Sequence, residues 1–400
     1  EQCYNLLHDE GECGIVIPSG IYTDLGTKQL REMLFEETEI TGLFCFENRK
    51  HIFEGVDSRF KFVILTFEKN SKTDQFPVKF MRHDVKELKY FPDEETLKIN
   101  VDLIRKLSPD SISIMEFKQN IDVIIAEKMC KFPLLGEEIK TRWNVKLTAE
   151  FHKTNDSYLF KTEPGKGRLP LYEGKMIHQF NHQFSQPKYW IDEQEARKAL
   201  LGKKGVDQGQ KLDYQRYRLG FRDVASSTNE RTMIMTMLYP QVFCNHKIPT
   251  VVIKYYGQEI PNYKAELFFC AIMNSYVVDY SFRQRVTANL TFFFIYQTPI
   301  PRLIEGEKYF QEIVERAAKL ICVTPQFEEL AKEVGLTSKG GNYGVTNEEE
   351  RAKIRAELDG IIANLYGLTE EEFKHILNTF PLVSEDVRNS ALEEFGKWHI

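Results

Sequence analysis

No run of eighteen apolar residues occurs anywhere in these 400 residues, and the most apolar window, 268–278, is too short to cross a bilayer. Cysteine is sparse and scattered: Cys3, Cys13, Cys45, Cys130, Cys244, Cys270 and Cys322 form no C-x-x-C pair and no zinc-ligand spacing. That usage fits buried thiols in a reducing cytosol, so a cytoplasmic location is expected. No Ser/His/Asp order, HExxH helix, Walker loop or PD-(D/E)xK-like cluster marks a self-contained enzyme of another kind. Neither a signal peptide nor an initiator methionine stands at Glu1, and the chain is expected to be a piece of something longer.

What is present suffices for real cores: 42% of residues are hydrophobic and 12% aromatic, on a length that suits two or three domains. The formal charge of −6 hides an uneven distribution. From residue 304 onward 11 Lys+Arg face 19 Asp+Glu, whereas the rest is nearly balanced at 42 against 40. Within residues 197–222 eight basic residues meet only two acidic ones. A local positive field of this kind suits a polyanionic partner.

Hydrophobic patterning predicts the end of an α/β sheet followed by a mixed α+β region. Strands are expected at 14–18, 40–46 and 60–67, with a helix over 24–36. The run FKFVILTF at 60–67 is nearly continuous in apolar residues, as a central strand would be. Residues 73–131, with a short strand from Pro77, a stretch punctuated by Pro92 and Pro109, and a helix around 119–130, read as a connector. Residues 132–303 are strand-rich except for helices near 193–201 and 265–285. Residues 304–400 read as an acidic helical tail, with Thr346 and Thr369 as N-caps before acidic first turns.

Two blocks carry the functional signal: LPLYEGKM at 169–176 and YRLGFRDVASSTNERTM at 217–233. Arg216, Arg218, Arg222 and Arg231 recur among strand-forming residues, and arginine reads phosphate and guanine edges bidentately. Arg218, Arg222, Asn229 and Arg231 are therefore candidates for duplex DNA contact. The competing readings are a solvated basic strand face, or arginines paired internally with Asp213, Asp223 or Glu230. Lys203, Lys204 and Lys211, flanking Gly202, Gly205 and Gly209, suit backbone attraction without sequence reading. Arg283 and Arg285, beside Thr287 and Asn289, could hold a phosphate. Asn274 and Ser275 read as capping or packing residues.

Taken together, GECGIVIPSGIYTDLGTKQLR at 11–31, the strands and loop of 46–67, LPLYEGKM, the RLGFR…NERT block and LFFCAIMNSYVVDY…QTPIPR at 267–302 resemble a known family. They are similar to the C-terminal part of gamma-class N6-adenine DNA methyltransferases, of the kind found in type IIG restriction–modification enzymes and related phage-defence methylases. The resemblance covers roughly residues 1–303. It implies the end of a Rossmann-like methyltransferase sheet (1–72), a connector (73–131), a DNA target-recognition domain (132–303) and the helical tail (304–400). It also implies double-stranded DNA as partner, together with a missing N-terminal methyltransferase region and, in relatives that cleave, a nuclease. On this reading Lys175, His178, Gln179 and His182 face DNA, and Phe53 in the loop 47–59 stacks on a flipped adenine. The competing reading of Phe53 is a plug at the sheet edge. His178 and His182 lack a third ligand at useful spacing, so no metal is expected. The catalytic tetrapeptide (Asn/Asp-Pro-Pro-Tyr/Phe) and the Gly-rich S-adenosylmethionine turn are absent. The cofactor therefore belongs to the intact enzyme and none is expected for this chain, which on its own should be inactive. The alternative is a protein-interaction or regulatory subunit of such a system.

Overall fold

In the computed structural model, which describes residues 1–202, 205–226, 228–255, 262–285, 289–338 and 343–398, the chain divides after Phe132 into two units. The first unit runs α1 (Gln2–Leu6), β1 (Glu12–Pro18), α2 (Gly20–Thr23), α3 (Lys28–Glu37), β2 (Thr38–Glu47), β3 (Lys61–Lys69), β4 (Gln75–Arg82), β5 (Leu97–Asn100), α4 (Val101–Leu107) and α5 (Asn120–Met129). Its sheet has the order β1-β3-β2-β4-β5. β3 is antiparallel to both neighbours, so β1 and β2 run parallel with α3 in the crossover between them.

The apolar run of β3 follows from this position. Val63, Leu65 and Phe67 enter the main core with Leu43, Cys45, Leu34 and Phe35. Phe62 and Ile64 alternate to the other face, where Phe44, Phe46 and Phe91 form a smaller aromatic cluster. Residues 73–131 are not a connector: β4 and β5 extend the sheet, and Val78, Ile99, Ile104 and Val123 share its core. β4 forms where a short strand was expected from Pro77, although proline has no N–H to give a ladder. The parallel pairing to β2 begins only at Val78, so that missing donor is not needed there.

The second unit contains β6 (Trp143–Thr148), β7 (Arg168–Tyr172), β8 (Tyr189–Asp192), α6 (Glu193–Leu201), β9 (Arg218–Phe221), β10 (Met235–Leu238), β11 (Phe243–Cys244) and β12 (Thr250–Tyr255). After these come α7 (Tyr263–Asn274), α8 (Tyr276–Arg283), α9 (Phe292–Tyr296), α10 (Phe310–Ile321), α11 (Glu328–Glu333), α12 (Glu348–Leu365), α13 (Glu370–Asn378) and α14 (Glu385–Trp398). The strands form two sheets, ordered β10-β9-β12-β6 and β11-β7-β8. The architecture is thus mixed α and β with several small sheets.

The expected helix over 265–285 is two helices broken at Ser275, whose hydroxyl caps α8 by accepting from Val278 N (3.3 Å). Asn274 pins the end of α7 to β10, accepting from Met235 N (3.0 Å) and donating to Met235 O (2.9 Å). Residues 304–400 share a unit with the strands rather than standing apart. Phe310 stacks on Phe268 (5.4 Å), Asp359 accepts from Tyr276 N (3.0 Å) and Tyr366 donates to Pro299 O (2.9 Å). Asn347, not Thr346, caps α12, while Thr369 caps α13 in a capping box. None of the described helices is long and apolar enough to cross a membrane.

Candidate nucleic-acid interface

Two of the arginines expected at DNA lie inside the second unit. Arg218 opens β9 at 2% exposure. Its Nη1 and Nη2 grip both oxygens of Glu150, and Nη2 also donates to Val242 O (2.8 Å). Burial works against the charge, but the Glu150 carboxylate more than restores it, so the guanidinium pKa stands above its ordinary value. Arg231 donates through Nε to Asp279 Oδ2 (2.8 Å) and through Nη2 to Asn274 O, with its guanidinium 4.1 Å from the Tyr276 ring centre. Asp279 is fully buried and also accepts from Thr232 N and Met233 N. In both arginines the forked edge is filled by fixed acceptors and is not offered to a base. Internal pairing was one of the sequence readings, but the partners are Glu150 and Asp279 rather than Asp213, Asp223 or Glu230.

Lys175 and Arg222 come to a different place. The chain leaves β7 through Glu173 and Gly174, where four segments meet. A Cβ built on Gly174 would lie 3.4 Å from Lys247 O and 3.8 Å from Arg222 Cγ, and Lys153 Nζ reaches Glu173 at 4.0 Å. Lys175 is exposed, and its ammonium has no hydrogen bond or ion pair among the described residues. Arg222 donates Nε (3.0 Å) and Nη2 to Ile177 O and lies 5.8 Å over the Phe184 ring. Lys247 pairs with Asp223 (2.7 Å). Beside them the His152 and His246 rings stack at 4.8 Å and 10°. Burial, then the neighbouring His152 and Lys247, lowers the His246 pKa, keeping that ring neutral at pH 7. Phe184 and Val224 are more than half exposed here. The rim therefore carries four cations against two carboxylates, with flat rings and open apolar side chains between them. Lysines suit phosphates as point charges, and rings suit bases. Lys153, Lys247, His152, His246 and Phe184 were not singled out from the sequence, because only the folded loops bring them beside Lys175.

The other candidates are dispersed. Gln179 is buried, donating to Met233 O (2.8 Å) and Asn274 O (3.3 Å), and His182 is 3% exposed. Together with half-buried His178 they line a cleft on the helical side of the unit. Burial pushes the pKa of His178 and of His182 down to about 4, so both rings are neutral at pH 7. Among the described residues no group of His, Cys, Asp and Glu is arranged to hold a metal ion. Arg283 donates to Thr379 O (3.0 Å), Asn229 O and Glu230 O (2.9 Å) and stacks on Phe380 (4.1 Å), so it braces the fold. Arg285 is half-buried just beyond α8, whereas Asn229 and Lys211 are exposed. Lys203 and Lys204 lie outside the described residues.

In the first unit, Phe53 occupies the loop after β2, at the carboxyl ends of β1 and β2, where Pro18 pairs with Phe62 and Glu47 with Lys61. Its ring is 43% exposed and meets the Phe62 ring edge-on at 4.8 Å and 74°. Asn48 holds the loop from below, accepting from Phe53 N (2.9 Å) and donating to Phe53 O and Val56 O (3.0 Å each).

No family model and no curated protein matches the chain. Among solved structures it is similar to the type IIL restriction–modification enzyme MmeI in complex with DNA: 13% identity, TM-score 0.40, covering 97% of this chain and 50% of that one. It is also similar to the type IIG restriction endonuclease BpuSI, with 13% identity, TM-score 0.34, and coverage of 91% and 48%. A nuclease-deletion mutant of the type ISP restriction–modification enzyme LlaGI, in complex with a DNA substrate mimic, matches with 10% identity, TM-score 0.40, and coverage of 81% and 36%. The chain thus spans about half the length of the first two.

Proposed function

We propose that this chain recognises duplex DNA as part of an adenine-N6 DNA methyltransferase of a restriction–modification or phage-defence system. The observation that carries the proposal is the rim around Gly174, where Lys153, Lys175, Arg222 and Lys247 converge from four segments far apart in sequence. Cations gathered this way track a phosphate backbone, and the exposed Phe184 and Val224 give a base edge or sugar an apolar contact.

The first unit is read as the end of a methyltransferase sheet. The β1–α3–β2 crossover, with antiparallel β3 filling the gap between the parallel strands, supports this reading. The half-exposed Phe53 ring at the carboxyl ends of those strands supports its assignment to an extruded adenine, because ligands of open α/β sheets bind at that edge. S-adenosylmethionine belongs to the intact enzyme on this reading. The strand-to-helix turn after β1 does not fit it: the turn is not Gly-rich, and the exposed Asp24 carboxylate lies against Gly20, with Oδ2 2.5 Å from where a Cβ would stand.

Anisotropy of a labelled duplex titrated with the full chain at several salt concentrations tests the proposal. Four phosphate contacts give a log–log salt slope of about −3.6, and each lysine replaced at the rim should reduce it by about 1. Binding that ignores salt, or that survives Lys153→Glu with Lys175→Glu unchanged, would overturn the reading.

A further inference from the structure

The second unit also contains a cleft of about 1150 Å³ that the DNA reading does not use. The segment 178–184 forms one side, and α12, α14 and the loop 382–384 form the other. Its charge is opposite to that of the rim. Glu230, Glu348, Glu349, Asp386 and Glu393 are exposed carboxylates along it, whereas Lys353 is its one fully exposed cation among the described residues. Arg351 is buried, donating to Leu320 O and Val345 O (2.8 Å each), and Arg355 lies 3.9 Å from Glu348. The cleft also leaves apolar side chains open: Leu382 is 64% exposed and Val387 46%. Positions 386, 387, 390, 391, 393 and 394 line it, which is one face of α14 at helical spacing.

Two buried polar atoms point to a ligand. His182 is 97% buried and lines the cleft, yet its Nε2 has no hydrogen-bond partner among the described residues. Thr324 Oγ1, on the same cleft, is likewise unmatched. A buried polar atom without a partner is destabilising, so such atoms mark places where a partner is supplied from outside. Burial keeps the His182 imidazole neutral, so it adds no positive charge and, with its proton on Nδ1, offers a lone pair to an N–H donor.

We infer that this cleft docks a lysine- or arginine-rich amphipathic segment of another polypeptide. The carboxylates meet its cations, Leu382 and Val387 meet its apolar face, and the His182 and Thr324 atoms accept from a cationic N–H. Nucleic acid is disfavoured at the same place, since like charges repel phosphate. The inference is independent of DNA binding at the rim.

The full chain is titrated with a fluorescein-labelled, helix-forming peptide of Leu and Lys, with its Leu and Glu counterpart, and with the labelled duplex. The Lys peptide should bind and the Glu peptide should not. Charge reversal at three exposed positions, Glu349→Lys, Asp386→Lys and Glu393→Lys, should weaken the Lys peptide at least about tenfold and leave duplex affinity equal or higher. Val387→Asp should separately weaken the peptide, and unchanged circular dichroism establishes that each variant is folded. Equal binding of the two peptides, or undiminished Lys-peptide binding by the charge-reversed variant, overturns the inference. Loss of duplex binding in that variant also overturns it, by placing DNA in the cleft; loss of duplex binding in the rim variants alone bears only on the DNA proposal.

Discussion

Three residues of chain separate Gly174, at the cationic rim, from His178, where the anionic cleft begins, yet the two regions have opposite chemistry. Lys175, on the rim side, is exposed beside Arg222 and Lys247. His178, Gln179 and His182 turn into a region bounded by the acidic helices α12 and α14. Residues of one polar run thus go to different partners, because the segment 178–184 is the wall between two surfaces. The same contrast divides the arginines: Arg222 reaches the rim, while Arg218 and Arg231, four and nine residues away, are ion-paired within the fold.

The largest effect expected from this contrast concerns the buried pairs. Arg231→Ala would leave Asp279 buried and uncompensated, and Arg218→Ala would do the same to Glu150; each should cost about 3–5 kcal/mol. Denaturant unfolding would measure this. A loss below 1 kcal/mol in either variant would return that arginine to the surface. Arg222→Ala, by contrast, removes a half-buried side chain bonded to a single carbonyl, and stability should change far less.

The cleft wall should confer acid lability. His182 has its pKa pushed from 6.5 down to about 4 by burial, so it is neutral when folded and takes a proton more readily when unfolded. Its contribution is fully present above pH 6.5 and is lost as the pH falls from there to about 4, amounting to about 2–3 kcal/mol at most. His182→Gln cannot be protonated in that window, so its stability should decline less between pH 7 and pH 4.5. Parallel curves for the two proteins would refute the assignment.

The rim should respond in binding rather than in stability. Lys153→Ala, Lys175→Ala and Lys247→Ala together should flatten the salt slope of duplex binding by up to about 3 and weaken affinity for all sequences alike. Calorimetric melting should shift little, because only Lys247 has a close ion pair, and that pair is partly exposed.

How much of this was legible in sequence depended on the range of the interaction. α6 was expected over 193–201 and forms there, since Asp192 supplies a local cap to Gln194 N and Glu195 N. β3 was legible because burial on both faces writes a continuous apolar run. A short strand was expected from Pro77, and β4 forms there; β5 was not legible, since its four residues depend on β4 for pairing. The arginine blocks were legible as cationic but not as buried: Glu150 lies 68 residues from Arg218, and Asp279 lies 48 from Arg231. The tail helices were legible from caps and acidic first turns, but their inclusion with the strands was not, because it rests on contacts such as Phe310 on Phe268. Deleting 346–400 would therefore expose apolar core of the second unit instead of removing a separate appendage.

The stability effect at Phe53 should be small, and its smallness is the argument. A ring that plugged the sheet edge would be fully buried, and truncation would cost about 3–5 kcal/mol. Phe53 is 43% exposed, and its one close ring contact among the described residues is the edge of Phe62. Its loop keeps its shape through Asn48, which is fully buried and makes three hydrogen bonds to the loop backbone. Phe53→Ala should therefore cost only about 1 kcal/mol, whereas Asn48→Ala should cost about 1–3 kcal/mol by leaving those groups unmatched. If the ring receives an extruded base, Phe53→Ala should lower affinity for a duplex with an unpaired adenine by about 1–3 kcal/mol and leave affinity for a fully paired duplex nearly unchanged. Unfolding curves and the paired comparison of duplexes separate the two roles. A large stability loss with no difference between duplexes would make Phe53 a plug.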